Sequence, residues 1–258
     1  MKRLATVVIA ALVAATAAGA AYAQMKKVRI GTEGAYPPFN FIDSAGALQG
    51  FDVDIAKALC ERMKVDCDFV AQDWDGIIPG LLAKKYDAII ASMSITDERK
   101  KRVAFTNKYY DTPARFMVQK GKNANISSDA LKGKNVGAQK ATTHSSYLED
   151  NYKGSTIKLY DTQDQANLDL KTGRLDAVLA DSIALLEWME KSEDGKCCEF
   201  AGKPIIAPKW FGLGAGIAIR KEDTELVEMF NKAIADIRAD GTYAKINTKY
   251  FPFDIYGQ

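Results

Sequence analysis

The chain has 258 residues and a formal net charge of +2, and 47% of its residues are hydrophobic. That hydrophobic share is enough for a packed globular protein with one large core or two modest ones. A charge balance so close to neutral indicates neither a nucleic-acid partner nor an anionic membrane surface.

The first 23 residues have the features of a secretory signal peptide. Lys2 and Arg3 form a basic start, residues 4–18 are apolar, and residues 21–23 (Ala-Tyr-Ala) give the small-x-small pattern of a cleavage site. A membrane helix is the competing interpretation, but alanine dilutes the apolar run, which ends in the cleavage pattern. Cleavage would leave 258 − 23 = 235 residues with no net charge. No cysteine stands at the cleavage site, so we expect an exported protein without a lipid anchor.

Short apolar runs alternate with amphipathic ones along the rest of the chain, which is typical of an α/β protein. Phe51, Ile55, Leu59 and Met63, for example, share one face of a helix. In chain order the sequence predicts strand 28–33, helix 50–63, strand 67–72, helix 75–85, strand 86–92, a helix from near Thr96, strand 134–139, helix 143–152, helix 163–173, strand 175–181, strand 214–220 and helix 223–241.

The four cysteines occur as two close pairs. Cys60 and Cys67 lie across the predicted end of a helix and start of a strand, where an oxidising compartment would allow a disulfide. Cys197 and Cys198 are adjacent, and a vicinal disulfide, two free thiols and a link to another molecule all remain open. The cysteines have too few companions to form a metal site.

Two segments of the sequence echo each other. Residues 84–92 read KKYDAIIAS and residues 173–181 read GRLDAVLAD. The simplest explanation is two similar α/β lobes, each with its own sheet. Ligands of such sheets bind beyond the carboxyl ends of the strands. Polar residues stand at four such ends. Each alone could merely cap a helix or bond a loop, but four in two echoing lobes favour a ligand site; they are Glu33, Ser92, Gln139 and Asp181.

Arg99 is a candidate for holding an anion. Thr96 reads as the N-cap of a helix, so Arg99 lies in a first turn, where the helix dipole disfavours a cation. A guanidinium matches a carboxylate with two parallel hydrogen bonds, and Ser94 stands close by. The alternative is a solvated pair with Asp97 or Glu98, an interaction of small value.

Asp181 and Glu33 supply carboxylates for cationic groups, so these two acids and Arg99 together suit a ligand with one carboxylate and two cations. A basic α-amino acid has that pattern. Tyr36 and Trp74 follow predicted strands and could stack on its side chain, although core packing is the alternative.

His144, the only histidine, has no companions for a metal site. The sequence also lacks the G-x-S-x-G motif of a nucleophile elbow. His144 follows two threonines at a predicted helix start, so a polar ligand contact or a surface position fits better.

Several segments resemble the periplasmic lysine-arginine-ornithine-binding proteins of ABC importers, over essentially the whole chain after the leader. They are IGTEGAYPPF, GFDVDIAKALCERM, DWDGIIPGLLAKKYDAIIASMSITDER, GRLDAVLAD and RADGTYAKINTKYF. GAQKATTH resembles the arginine- and ornithine-binding members in particular.

The resemblance implies the two-lobed type II periplasmic binding protein fold, each lobe a mixed, mostly parallel sheet flanked by helices. Lobe 1 would comprise residues 24–110 and 215–258, and lobe 2 residues 115–205. Two hinge crossings would lie at 111–114 and 206–214.

The resemblance also implies roles for site residues. Arg99 and Ser94 would hold the ligand α-carboxylate, together with the backbone at Ser92 and Thr143, and Asp181 would hold the α-ammonium. Tyr36 and Trp74 would contact the two faces of the ligand side chain, and Glu33 and His144 would lie near its distal cation. Cys60 and Cys67 would form the family's disulfide.

Three ligand-site positions differ from the enteric members of the family. Ala91 stands in place of their serine and Gln139 in place of their leucine. Glu33 replaces their aspartate, as in the arginine/ornithine group. The site should therefore still prefer a long cation.

The resulting hypothesis is a periplasmic, monomeric binding protein without cofactor or nucleic-acid partner. It would capture arginine or ornithine, with lysine possible, and deliver it to the permease of an ABC importer. One alternative is an opine or another arginine derivative as the ligand. Another is a periplasmic dehydratase that uses Glu33 and His144 as an acid–base pair. A sensor that docks to a receptor is the third.

Overall fold

The computed structural model describes residues 27–122 and 125–257. The predicted signal peptide lies outside these residues. Within the described ranges, no helix is both long enough and apolar enough to cross a lipid bilayer.

Strands and helices alternate along the described chain. In order they are β1 (Lys27–Thr32), β2 (Ala35–Tyr36), β3 (Asn40–Ile42), β4 (Leu48–Gln49), α1 (Phe51–Met63), β5 (Asp66–Ala71), α2 (Ile77–Leu82), β6 (Ala88–Ile89), α3 (Asp97–Lys100), β7 (Ala104–Tyr110), β8 (Ala114–Gln119), β9 (Asn135–Gln139), α4 (Thr143–Asn151), β10 (Thr156–Tyr160), α5 (Gln163–Lys171), β11 (Ala177–Asp181), α6 (Ser182–Lys191), β12 (Cys198–Ile205), α7 (Pro208–Phe211), β13 (Ala215–Ile219), α8 (Thr224–Ala239) and α9 (Thr242–Tyr250).

The strands form two five-stranded sheets with matching organisation. Their orders are β5-β1-β6-β13-β7 and β10-β9-β11-β8-β12, and a small sheet β2-β3-β4 accompanies the first. In each large sheet the first three strands pair in parallel and the last two pair antiparallel. The two echoing segments supply β6 and β11, the central strand of each sheet. The mixed α/β class expected from the sequence is confirmed.

Each large sheet has buried apolar side chains on both faces. On the first sheet, Phe51 of α1 is fully buried among aromatic rings that include Tyr109 and Phe251. On the second, Phe116 and Leu185 are fully buried in separate clusters. Both large sheets therefore take part in apolar cores.

Some element bounds differ from the prediction because the backbone turns at particular residues. The strand predicted at 86–92 is reduced to β6, and Ser92 adopts a left-handed φ of 54°. Its amide donates to the Tyr109 hydroxyl instead of to a neighbouring strand. The helix predicted to reach residue 85 ends at Leu82, and Lys84 has a φ of 60°.

Both cysteine pairs form disulfides. Cys60 and Cys67 join the end of α1 to β5, and the adjacent Cys197 and Cys198 are bonded to each other. For the second pair, the structure selects one of the three states that the sequence left open.

The chain passes between the two large sheets twice. It crosses between β7 and β8, and it returns between β12 and β13. Ser94 and Ile95 pair with the return segment, because Ser94 bridges Ala215 and the Ile95 amide donates to the Gly214 carbonyl. The return crossing is thus fastened beside the loop that leads to Arg99.

Candidate functional site

A cleft between the two sheets gathers all the ligand-binding residues predicted from the sequence. Its lining includes Glu33, Tyr36, Trp74, Ala91, Ser92, Ser94, Arg99, Gln139, Thr143, His144 and Asp181. Residues that the sequence reasoning did not single out also line it: Tyr110, Asp111, Thr112, Thr142, Gln163 and Phe211. Asp111, Thr112 and Phe211 belong to the crossings, where no strand or helix periodicity marks a residue as facing a site.

Arg99 occupies one end of the cleft without a carboxylate partner in the described chain. Thr96 caps α3 by accepting from the Arg99 amide at 3.3 Å, and the Arg99 guanidinium donates to the Ser94 carbonyl at 3.0 Å. The alternative of a surface pair fails, because Asp97 and Glu98 instead pair with Lys100 and Lys101. Burial lowers the pKa of Arg99 to about 10, so the side chain stays charged at neutral pH.

The start of α4 lies at the same end of the cleft. Thr142 caps this helix by accepting from the Ser145 amide at 3.1 Å, and buried Thr143 is the first helical residue. The first amides of a helix lack partners within it and favour an anion. A helix start beside an unpaired guanidinium therefore suits a carboxylate.

His144 follows in the same turn of α4. Burial and the charge of Arg99 lower the pKa of His144 to about 3, so its imidazole is neutral. The ring lies 5.4 Å from that of Phe211. The charge of Arg99 acts on the His144 ring, and a contact of His144 with the distal cation of the ligand stays a prediction.

Asp181 has two functions at the end of β11. One carboxylate oxygen caps α6 by accepting from the Ile183 amide at 2.8 Å, and the other accepts from the Thr112 hydroxyl. Burial raises the pKa of Asp181 to about 6, against the effect of these hydrogen bonds. Burial and the Asp181 charge also raise the pKa of Tyr36 well above its usual range.

Glu33 and Gln139 meet across the cleft. Gln139 Nε2 donates to Glu33 Oε1 at 2.5 Å and to the Asp161 carbonyl at 3.0 Å. Both side chains are buried, with 9% of Glu33 and 3% of Gln139 exposed. Burial raises the pKa of Glu33 to about 7, although the Gln139 hydrogen bond opposes that shift.

Two further contacts bridge the cleft. Trp74 Nε1 donates to the Ala141 carbonyl at 3.0 Å, and Lys140 pairs with Asp75 at 2.7 Å. The Arg99 guanidinium lies 5.3 Å from the centre of the Trp74 ring. The segment around Ala141 is therefore held directly against the other lobe.

A buried network fixes Ser92 from behind. Asp52, fully buried on α1, accepts from Asn40 and from the Ser92 hydroxyl at 2.9 Å, and from the Tyr109 hydroxyl at 2.8 Å. Sequence reasoning missed Asp52, although an acidic residue next to Phe51 at the start of an apolar helix face is a signal. The network commits the Ser92 hydroxyl to Asp52 and the Ser92 amide to Tyr109, so it fixes the backbone of this strand end at the cleft.

The charges of the cleft suit a ligand with a net positive charge. Three carboxyl groups line it, those of Glu33, Asp111 and Asp181, against the single guanidinium of Arg99 and a neutral His144. No group of metal-ligating side chains occurs in the described chain. The cleft can therefore hold an anion at one end and cations elsewhere.

Known proteins are similar to this chain in sequence and in fold. Residues 28–253 match the family of bacterial extracellular solute-binding proteins, family 3. An L-arginine-binding protein of Pseudomonas aeruginosa is 48% identical over 100% of this chain and 99% of its own length. The lysine/arginine/ornithine-binding periplasmic protein of Escherichia coli is 43% identical, over 95% of this chain and 96% of that protein.

A solved structure of an ancestral arginine-binding protein bound to arginine superposes with a TM-score of 0.82. It is 38% identical, and the match covers 88% of this chain and 99% of that one. From the family match and these relatives, the chain belongs to family 3 of the bacterial extracellular solute-binding proteins.

Proposed function

We propose that this protein captures a basic L-amino acid, arginine or ornithine first and lysine next, and delivers it to the permease of an ABC importer. The ligand α-carboxylate would bind Arg99 and the first amides of α4, and its α-ammonium would bind Asp181. The distal cation would face Glu33, with Tyr36 and Trp74 against the aliphatic stem. The protein would release its ligand unchanged and catalyse no reaction.

One observation carries this proposal: Arg99 has no carboxylate partner in the described chain, in a cleft that is otherwise acidic. A desolvated guanidinium without a counter-charge is costly, and a ligand carboxylate would remove that cost. The excess of carboxyl groups then requires more than one cation on the same ligand. A basic amino acid supplies one anion and two cations.

The proposed division into lobes follows the sheets. Residues 24–110 and 215–258 would move as lobe 1, residues 115–205 as lobe 2, and 111–114 and 206–214 would act as hinges. Closure would bring Glu33 of one lobe against Gln139 of the other. We further propose a monomer, exported to the periplasm by cleavage after residue 23.

The test is calorimetric titration of residues 24–258 with arginine, ornithine, lysine and an opine. We expect arginine and ornithine to bind, and Arg99→Ala to lose at least about a hundredfold in affinity, because a buried, charge-assisted contact is removed. Arg102→Ala is the matched control, since it removes an exposed cation from the same segment.

The outcomes separate the alternatives. No binding of any basic amino acid or opine would overturn the proposal. Equal affinity of Arg99→Ala and wild type would show that the carboxylate binds elsewhere. Tight binding of the opine alone would change the ligand class. Conversion of the ligand to a new compound would show an enzyme.

A further inference from the structure

The contact between Glu33 and Gln139 fixes which atoms the far wall of the cleft offers to a ligand. Gln139 Nε2 lies 2.5 Å from Glu33 Oε1 and 3.0 Å from the Asp161 carbonyl. A primary amide has two N–H groups, so both donors of Gln139 are committed. The two hydrogen bonds hold Nε2 toward those two acceptors, so Oε1 lies on the opposite side of the amide group.

Two acceptors remain on this wall. No described group donates to Gln139 Oε1 or to Glu33 Oε2. Neither oxygen is among the fully buried, unpartnered side-chain polar atoms of the described residues, and both Glu33 and Gln139 line the cleft. With both donors of Gln139 committed and Glu33 ionised, the pair presents acceptors alone, one of them charged.

We propose that Gln139 makes this site select a guanidinium over a primary ammonium. The inference rests on the proposed function, that is, on a basic amino acid whose distal cation faces Glu33. It assigns to Gln139 a part in specificity that Glu33 cannot supply, since the Glu33 charge attracts both kinds of cation.

The reason lies in the shapes of the two cations. A guanidinium is planar and carries five N–H donors in a fixed fork, so different N–H groups can meet acceptors on two residues at once. An ammonium is a compact, strongly hydrated charge with three rotatable donors, and its attraction to Glu33 does not depend on a second planar contact. The oxygen of Gln139 therefore contributes more to arginine than to lysine or ornithine.

Two hydrogen bonds make this selection rigid. The Asp161 carbonyl belongs to the same lobe as Gln139 and can hold the amide before the lobes close, and Glu33 fixes it further on closure, so binding has less side-chain motion to order. Burial of both partners strengthens hydrogen bonds made on this wall. A ligand group that brought a hydrogen-bond acceptor there would instead face two oxygens.

The test compares arginine and lysine binding to wild type and to Gln139→Met, which keeps the side-chain length and removes the amide. We expect arginine affinity to fall by about tenfold and lysine affinity by less than about threefold, from the loss of one charge-assisted hydrogen bond. Loss of the Nε2 donor also weakens Glu33 as an anion, but that effect acts on both ligands and cancels in the ratio of dissociation constants.

Gln119→Met is the matched control. Gln119 Nε2 also donates to two acceptors, the carbonyls of Leu170 at 2.9 Å and Lys171 at 2.8 Å, but Gln119 lies outside the cleft. This variant should leave the arginine-to-lysine ratio unchanged. Thermal melting without ligand checks that each variant folds, and Gln139→Leu replaces Gln139→Met if the latter does not.

Two failures can be told apart. A wild-type protein that binds neither amino acid would overturn the proposed function, and this inference with it. A wild-type protein that binds both, with arginine and lysine weakened by the same factor in the variant or with arginine unaffected, would overturn the selectivity alone.

Discussion

At the scale of single residues, burial destabilises the ionised form of the carboxyl groups in the cleft, and a proton or a bound cation offsets that cost. Burial raises the pKa of Glu33 to about 7 and that of Asp181 to about 6. Near neutral pH, the ligand-free cleft therefore holds part of its carboxyl groups protonated. A cationic ligand needs them ionised, so binding and proton release are linked.

We predict that arginine binds more weakly as pH falls. If only ionised Glu33 accepts the distal cation, a pKa of about 7 makes the affinity roughly tenfold lower at pH 6 than at pH 8. Titrations in buffers of different ionisation enthalpy should also detect a proton released on binding near pH 7. Glu33→Gln should bind more weakly and lose most of this proton release; constant affinity from pH 6 to 8 in wild type would contradict the prediction.

The same shift has the opposite sign for stability without ligand. A carboxyl whose folded pKa is raised favours folding in its protonated form. The Glu33 contribution to the free energy of unfolding is therefore greatest below its unfolded pKa and decreases as pH rises toward about 7. Ligand binding offsets this loss.

At the scale of elements, the binding groups lie where strands end and helices begin. Arg99 is held by the four-residue helix α3, and Asp181 ends β11 while it caps α6. A helix this short has almost no stability of its own, so its cap and its neighbours determine its position. The orientation of the guanidinium therefore depends on Thr96.

We predict that Thr96→Ala affects both the fold and the site. Thr96 is buried, and its hydroxyl accepts from the Arg99 amide. Its removal should lower the free energy of unfolding by about 1 kcal/mol, measured in urea, and should weaken arginine binding because α3 is no longer fixed. Thr96→Ser keeps the cap oxygen and should retain both properties; unchanged arginine affinity in Thr96→Ala would show that α3 is positioned by its neighbours instead.

The sequence allowed prediction of the central strands β6 and β11 and of the two longest helices, α1 and α8, because their apolar spacing is regular, but helices α6 and α9 were not predicted. It also identified Arg99 and Asp181, since each is a charged residue at an element end. The bond between Glu33 and Gln139 could not be foreseen, because the two residues are 106 positions apart and only the packing of two lobes brings them together. Strands such as β7 and β12 mix polar and apolar residues without strict alternation, so their pattern is weak.

At the scale of the whole molecule, contacts across the cleft hold the lobes together. The exposed pair of Lys140 and Asp75 contributes little, because solvent screens it. The bond from buried Trp74 to the Ala141 carbonyl is better protected. It can form only when the lobes approach, so it should act on the closed state.

We predict that Trp74→Phe speeds ligand release. The variant keeps a ring and loses the N–H donor, which is worth about 1 kcal/mol, so arginine should dissociate roughly fivefold faster while its association rate changes little. Stopped-flow displacement measures both rates. Trp188→Phe is the control, because Trp188 Nε1 donates to Asp164 within the second lobe. Equal dissociation rates in all three proteins would contradict a role in closure.

The equivalent positions of β6 and β11 in their sheets have a consequence for how a partner would recognise the ligand-bound protein. Each is the central strand of its sheet, and the residues after β6 and at the end of β11 face the same cleft from opposite sides. Each lobe thus supplies only part of the contacts to a ligand. Both sets of contacts form together only when the cleft closes. A membrane partner that contacts both lobes from outside would recognise a bound ligand by the relative position of the lobes, without touching the ligand. One docking surface would then serve different ligands.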